Sequence, residues 1–150
     1  SKHLWVIYRY AETLLTYAES MVNAFNDVNY TDETYKYSAL WAINEVRKNA
    51  DMPLIPSMGK DEFMERLYNE WRVEFAFEDH RFWDVRRWKI ADTTQRELYG
   101  VKIEKQADGT FNFYKNLYET RNWRDCMYLY PIPQSELYKN TNLNPQNTGW

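Results

Sequence analysis

The N-terminal third of the chain places apolar residues at the spacing of an α-helix. Across residues 9–25 they recur every three or four positions, which predicts a helix with one apolar face. The same spacing returns across residues 35–50, where Thr31 or Asp32 is available as the N-cap. Two amphipathic helices joined by a short polar loop predict an antiparallel helix hairpin, similar to one tetratricopeptide-like unit.

A connector with two prolines and a glycine, MPLIPSMGK at residues 52–60, separates this hairpin from a third helix. Asp61 is the predicted N-cap of that helix, and the helical spacing continues to about Glu78. Its apolar stripe consists of four large side chains, Phe63, Leu67, Trp71 and Phe75. We expect a bend near Asp79 and then a shorter helix over residues 82–88.

Towards the C-terminus the pattern changes to the alternation of a β-hairpin. Apolar and polar residues alternate on both sides of Asp108-Gly109, a dipeptide typical of two-residue hairpin turns. Residues 128–150 then hold three of the five prolines and a run of asparagines. We predict an extended tail there, apart from one helical turn over residues 135–138 that Ser135 caps.

These elements predict a mostly α-helical fold: a tetratricopeptide-like helix hairpin, further helices, a small β-hairpin and an extended Pro/Asn-rich tail. A chain of 150 residues and 18.3 kDa has the size of one domain, so we predict a single domain over residues 1–150. The chain starts with neither a methionine nor a signal-like segment, and we expect it to be a fragment of a longer protein whose N-terminal part is missing.

The charge balance narrows the classes of partner. A net charge of −3 offers no broad basic surface, so we predict no nucleic-acid partner. The single cysteine, Cys126, and two histidines give no zinc-site spacing, and the four glycines form no phosphate-binding cluster. We therefore predict no metal and no cofactor.

One loop offers oxygen ligands for calcium. Asp27, Asn29 and Asp32 lie within residues 26–33, but the glycine and the terminal acid of an EF-hand are missing. We favour a solvated helix-capping loop over a calcium site.

Aromatic residues are abundant, with 7 Trp, 13 Tyr and 7 Phe. Aromatic rings stack on sugar rings and asparagines hydrogen-bond sugar hydroxyls, so this composition suits a carbohydrate surface; an aromatic-rich helical core is the alternative. The candidate ligand contacts are Asn122, Trp123 and Arg124, which follow the hairpin. Trp123 could equally seal the core.

Two acids beside a histidine, Glu74 and Glu78 next to His80, resemble general acid–base machinery. Residues four apart lie on one side of a helix, however, whereas the two carboxylates of a glycosidase flank the scissile bond from different sides. We interpret them as part of a structural ion network and predict no catalytic residue. That network comprises Arg72, Glu74, Glu78, Arg81, Asp84, Arg86 and Arg87.

Four segments resemble, in chain order, the C-terminal region of the SusD/RagB family of nutrient-binding outer-membrane lipoproteins. They are RYAETLLTYAES (9–20), AINEVRKNADMP (42–53), EWRVEFAFEDHRFWDVRRWK (70–89) and YLYPIPQSELYKNTNLNPQNTGW (128–150). The last two are the most specific. The family usually has glycine where Asp79 stands and proline where Thr148 stands.

The resemblance implies a helical, non-catalytic protein on the outer face of the outer membrane. It would be anchored through a lipidated N-terminal cysteine, which Cys126 does not match, and would deliver oligosaccharide or another nutrient to a TonB-dependent transporter. Most glycan contacts of the family lie upstream, so the resemblance assigns no ligand residue here. The alternatives are a helical scaffold module that contacts the transporter without touching sugar and a glycoside hydrolase.

Overall fold

A computed structural model describes residues 7–150. The chain divides into two compact units, Ser1–Arg81 and Phe82–Trp150. Each unit is described by itself below.

Three helices form the first unit: α1 at Tyr10–Phe25, α2 at Ala39–Asn49 and α3 at Lys60–Glu74. Asn26 caps the end of helix α1: it has a left-handed backbone (φ 57°), and its N–H donates to the carbonyl of Val22. Helix α1 packs against both α2 and α3, which confirms the predicted helix hairpin and adds the third helix to it.

The buried face of each helix follows the apolar spacing of the sequence. All four residues of the predicted α3 stripe are buried, and Phe63 and Leu67 are completely inaccessible. From α1 and α2 the core receives Leu14, Leu15, Ala18, Met21, Val22, Ala39, Ala42, Ile43 and Val46. Burial of these side chains is the main stabilising contribution in this unit.

The predicted start of α2 is wrong by four residues. Ser38, rather than Thr31 or Asp32, is the N-cap, and its hydroxyl accepts a hydrogen bond from the N–H of Trp41 at 3.1 Å. The Asp32 carboxylate instead accepts from the backbone of Thr34 and Tyr35. A short aspartate side chain that bonds its own following backbone makes a turn and delays the helix.

The ends of α3 also differ from the prediction. Gly59 holds the N-cap position, and Asp61 lies inside the first turn, where a negative charge is favourable to the helix dipole. The helix ends at Glu74, not near Glu78, because residues 75–79 form consecutive turns. The bend near Asp79 is confirmed: Phe77 and Asp79 both have left-handed backbones with φ of 65°.

Helix α4 spans His80–Arg87 and a short helix, α5, spans Ala91–Thr94. In the second unit strands β1 (Glu97–Lys105) and β2 (Phe111–Thr120) then form the predicted antiparallel hairpin. Its turn is wider than the two residues predicted. Gln106 donates to the carbonyl of Thr110, and Gly109 at φ 87° donates back to Gln106, the geometry of a three-residue turn.

The C-terminal tail contains more short helix than the sequence predicts. A 3-10 turn spans Asp125–Tyr128, helix α6 spans Gln134–Lys139, and a second 3-10 turn spans Thr141–Leu143. Ser135 does not cap α6; it lies inside the helix, and Pro133 holds the N-cap position. The remainder of the tail is extended, and the prediction of a mostly helical fold is confirmed.

A candidate ligand-binding cavity

The second unit contains a cavity of about 1350 Å³. Its walls come from three places in the sequence: helix α4 and the residues just after it, the Asp125–Tyr128 turn with its neighbours, and the end of the tail at residues 146–149. Small-molecule pockets commonly measure about 300–1,000 Å³, so this volume suits an extended ligand.

Helix α4 presents Trp83, Arg86 and Arg87 to the cavity. Spacings of three and four residues put side chains on one arc of a helix, so the sequence RFWDVRRW directs this group to one wall. The guanidinium of Arg86 lies 3.6 Å from the centre of the Phe82 ring, and its Nη1 donates to the Phe82 carbonyl at 2.8 Å. The side chain of Arg86 is therefore held in place against an aromatic ring.

The tail wall is fixed by polar side chains that bond to backbone. The Gln146 amide accepts from the N–H of Ile132 at 2.7 Å and donates to its carbonyl at 2.8 Å. Asn147 donates to the carbonyl of Tyr130 at 2.6 Å. These two amides line the cavity, but most of their hydrogen-bonding capacity is used in holding the tail.

Trp150 and Gly149 fasten the end of the chain. The Trp150 indole N–H donates to the carbonyls of Cys126 and Leu129, each at 3.0 Å. Gly149 has φ of 92°, and a Cβ at this position would lie 2.7 Å from the Cβ of Cys126. Only glycine accommodates both this backbone conformation and this approach.

Two large rings in the wall remain accessible to a ligand. Trp83 is 59% exposed and Tyr130 is 60% exposed, and their ring centres are 6.3 Å apart. Both line the cavity. Exposed aromatic faces of this kind can stack on sugar rings.

The charged groups of the wall are unevenly paired. Asp92 accepts a hydrogen bond from the hydroxyl of Tyr128 at 2.9 Å, and Arg87 forms an ion pair with buried Asp84 at 3.0 Å. Burial, more than the nearby Asp92, raises the pKa of the Tyr128 phenol, which therefore stays protonated as a donor. Across residues 7–150, Lys89 and Arg124 are in no ion pair.

The structure brings one of the three predicted ligand contacts, Arg124, to the cavity wall. Asn122 is exposed and does not line the cavity. Trp123 is half-buried, lies edge-on to Tyr128 at 5.1 Å, and has a buried indole N–H without a partner among the described residues. This environment favours the packing role of Trp123. Ligand contact by these residues stays a prediction.

The acids Glu74 and Glu78 lie in the first unit, where Arg9 binds both. Arg9 Nη1 is 2.7 Å from Glu74, and Arg9 Nε and Nη2 are each 2.9 Å from a Glu78 oxygen. Hydrogen bonding to Glu78 is the largest cause of a raised pKa of Arg9. The sequence predicts Arg72, Arg81, Arg86 and Arg87 as the partners of these acids, whereas the observed partner, Arg9, lies 65 and 69 residues away in sequence.

Four other members of the predicted ion network, Arg72, Asp84, Arg86 and Arg87, have local contacts. Arg72 donates to the Asn69 side chain at 2.8 Å, and Arg81 is half-buried. The pair of Asp84 with Arg87 and the stacking of Arg86 on Phe82 belong to the second unit. A structural role for these residues remains our interpretation.

Sequence reasoning missed a largely buried ion pair of the first unit. Arg47 Nη1 lies 2.6 Å from Glu70, whose side chain is only 9% exposed. The signal was present: Glu70 stands three residues after Leu67 and seven after Phe63, on the buried face of α3. An acid at such a position requires a partner, because an unpaired buried carboxylate is costly.

The possible calcium loop uses its oxygens internally. Asp27 accepts from the N–H of Asn29 at 2.9 Å, and Asp32 accepts from two backbone N–H groups and the Tyr30 hydroxyl. Backbone hydrogen bonding to Tyr35 is the main cause of a lowered pKa of Asp32. Within residues 7–150 no three acids, histidines or cysteines form a metal-ligating group.

His80 lies between aromatic rings and an acid. Its ring centre is 4.4 Å from that of Phe75 and 5.5 Å from that of Trp71, and its Nε2 is 3.8 Å from Glu12.

None of the helices in the described part of the chain is both long and apolar enough to span a membrane.

Comparison with known proteins places the chain in a family. The family model described as the SusD family matches residues 1–150. A SusD-like protein, P2, of Formosa agariphila is 34% identical over 152 residues, which cover 95% of this chain and 25% of that protein.

Solved structures agree with this match. A crystal structure of a SusD-like protein from Bacteroides fragilis superposes with a TM-score of 0.74 and 34% identity, covering 97% of this chain and 26% of that one. A SusD superfamily protein from Parabacteroides distasonis, 23% identical with a TM-score of 0.59 and 97% and 27% coverage, shares the fold. The chain thus spans about a quarter of the length of these relatives.

Proposed function

The chain belongs to the SusD family, and on that premise we propose that it is the C-terminal part of a non-catalytic protein that captures oligosaccharide. The whole protein delivers this nutrient to a TonB-dependent transporter in the outer membrane. It sits on the outer face of that membrane, held by a lipidated cysteine in a part of the protein that precedes this chain.

The observation that carries the proposal is the cavity of the second unit. It combines two exposed aromatic faces, Trp83 and Tyr130, with cationic hydrogen-bond donors in one wall. Stacking supplies affinity for sugar rings, and donors with fixed directions supply orientation. A cavity of about 1350 Å³ has room for several sugar residues, as an oligosaccharide requires.

The acids of the first unit support a binding role over a hydrolytic one. Glu74 and Glu78 share one guanidinium, that of Arg9, on a single side. A glycosidase needs one carboxyl group that is free to donate a proton and a second on the opposite side of the bond. This pair meets neither requirement.

Calorimetry on the full-length protein with a panel of oligosaccharides tests the proposal. We expect binding to at least one oligosaccharide and no new reducing ends after prolonged incubation. Trp83→Ala and Tyr130→Ala should weaken binding about 10-fold, since stacking contacts contribute roughly 1–1.5 kcal/mol. Tyr138→Ala is the control, because Tyr138 is exposed on α6 and does not line the cavity.

Two results would contradict this function. One is indifference to every oligosaccharide in the panel, and the other is hydrolysis of any of them. If Tyr138→Ala and Trp83→Ala lowered the affinity equally, the cavity would not be the binding site, although oligosaccharide capture would still stand.

A second candidate function is a scaffold that contacts the transporter without touching sugar, and the β-hairpin favours it. All ten residues of β2 are exposed, and five large apolar or aromatic side chains stand on that strand, namely Phe111, Phe113, Tyr114, Leu117 and Tyr118. A two-stranded sheet is marginal by itself, so an exposed apolar hairpin is suited to docking on another surface.

Removal of residues 102–113 separates the two candidates. Loss of co-purification with the transporter, without loss of oligosaccharide affinity, is the result expected of a docking hairpin. A complex that survives the deletion unchanged would eliminate the hairpin as the contact.

A further inference from the structure

The cavity differs in charge from the rest of the molecule. Four cationic residues line it, Arg86, Arg87, Lys89 and Arg124, together with two acids, Asp92 and Asp125. The wall therefore carries a formal excess of two positive charges, whereas the whole chain has a net charge of −3. Against an acidic background, this local excess selects for an anionic ligand.

Three of the four cations have no carboxylate partner among residues 7–150. Arg87 is paired with Asp84, but no described residue forms an ion pair with Arg86, Lys89 or Arg124. The Nε of Arg86 is buried and its Nη1 bonds the Phe82 carbonyl, so Arg86 contributes to the cavity wall mainly through its charge.

The structure fixes the backbone at Lys89 and places an aromatic ring beside Arg124. Lys89 lies two residues after the end of α4 and has a left-handed backbone with φ of 54°, and its N–H donates to the Arg86 carbonyl at 3.0 Å. The Arg124 guanidinium lies 5.6 Å from the centre of the Trp150 ring. Trp150 is in turn anchored by its two indole hydrogen bonds, so Arg124 rests on a fixed support.

Aromatic faces line the same cavity as these cations. Trp83 and Tyr130 offer surfaces for a sugar ring, and arginine and lysine offer donors for a planar carboxylate or a sulfate. Neutral sugars would use the rings but would leave the excess charge uncompensated. A ligand that satisfies both features is a sugar with a negative group.

We propose that this cavity binds an acidic sugar residue of the captured oligosaccharide, one that carries a carboxylate or a sulfate ester. The assignment rests on the oligosaccharide-binding function proposed above and adds the chemical class of the ligand. Arg86, Lys89 and Arg124 bind the anionic group, and the rings of Trp83 and Tyr130 stack on the sugar.

The test is calorimetry of the full-length protein with three tetrasaccharides: tetragalacturonate, a sulfated κ-carrageenan tetrasaccharide and neutral cellotetraose. We expect at least one of the two acidic probes to bind 10-fold or more tightly than cellotetraose. Its affinity should also fall as sodium chloride is raised from 50 to 300 mM, because salt screens the charges. The acidic probe that binds identifies the carboxylate or the sulfate as the recognised group.

Variants locate the effect. Arg124→Gln and Lys89→Gln should each lower the affinity for the acidic probe about 10-fold, the scale of one hydrogen bond to a charged group. Lys105→Gln is the matched control, since Lys105 is an exposed cation of the same unit that does not line the cavity. It should leave the affinity unchanged.

The outcomes separate this inference from the function on which it rests. Neutral oligosaccharides that bind as tightly as acidic ones would overturn the inference and leave oligosaccharide capture standing. Unchanged acidic affinity in both Arg124→Gln and Lys89→Gln would overturn the assignment to this cavity. Failure of every oligosaccharide, acidic or neutral, to bind would overturn both.

Discussion

The two units differ in how they are held together. Of the seventeen buried hydrophobic residues among those described, fourteen lie in the first unit and three, Val85, Ala91 and Leu137, lie in the second. The first unit is stabilised by packed helix faces, which remove apolar area from water. The second relies on polar side chains that bond the backbone, such as Gln146 to Ile132 and Trp150 to Cys126.

This difference suits the first unit to a structural role and the second unit to ligand binding. A packed helical core tolerates little rearrangement. A unit with few buried side chains leaves aromatic and charged groups accessible, and its cavity can exchange water for a ligand. Binding residues are commonly found on irregular segments that a rigid framework positions.

Two phenylalanines, one in each unit, should show the largest difference in their contribution to stability. Phe63 in the first unit is fully buried, whereas Phe113 in the hairpin is 68% exposed. Phe63→Ala should lower the free energy of unfolding by about 3–5 kcal/mol, and Phe113→Ala should change it by about 0.5 kcal/mol or less. Urea denaturation of the full-length protein measures both. Equal losses would show that the hairpin is as deeply packed as the core.

Two acids of the first unit, Glu70 and Glu78, differ in burial and should differ in their contribution to stability. Glu70→Ala leaves the largely buried Arg47 guanidinium without its carboxylate partner and should lower the free energy of unfolding by about 3 kcal/mol. Glu78→Ala should cost about 1 kcal/mol or less, because the Glu78 side chain is 36% exposed and Arg9 keeps Glu74. The same denaturation experiment decides it. If Glu78→Ala proved the more damaging, the ranking of the two pairs by burial would be wrong.

Two glycines probe the second unit, where backbone geometry matters more than packing. Gly149→Ala combines a strained φ of 92° with a 2.7 Å approach to Cys126 and should cost about 2–3 kcal/mol. Gly109→Ala has a similar φ of 87° and nothing within 4 Å, so it should cost about 1 kcal/mol. Thermal denaturation of both variants separates strain from overlap, and indistinguishable melting temperatures would argue against the close approach.

The smallest expected effect is a gain. Asp79 is exposed and has φ of 65°, a conformation that glycine adopts more readily than aspartate. Asp79→Gly should therefore stabilise the first unit by about 0.5–1 kcal/mol, whereas Asp79→Ala should not. A rise in melting temperature with Asp79→Gly alone is the expected result, and a fall would show that the aspartate side chain contributes more than its backbone costs.

The sequence predicts the first unit better than the second for a physical reason. Helical spacing identifies the buried stripe of Phe63, Leu67, Trp71 and Phe75 because packing imposes that spacing. Helix starts were less accurate, since Asp32 bonds to its own backbone and moves the start of α2 to Ser38. Such local competition is invisible in an apolar pattern.

The apolar and polar pattern of the sequence does not predict the cavity. Its walls join α4 to the Asp125–Tyr128 turn and to residues 146–149, and these segments meet through individual bonds such as Asn147 to Tyr130. Arg124 is predicted as a ligand contact only from its place in the loop after the hairpin. The sequence does not identify Trp83, Tyr130 and Lys89 as cavity residues, because segments that are distant in sequence come together to form the cavity.

Hydrogen–deuterium exchange of the full-length protein, with and without a bound oligosaccharide, tests the central claim that the ligand binds in the cavity of the second unit. Binding should slow exchange at residues 83–92, 124–130 and 146–150 and leave the already protected α1, α2 and α3 unaltered. Unchanged exchange in all three cavity segments, with protection gained only elsewhere, would contradict the account.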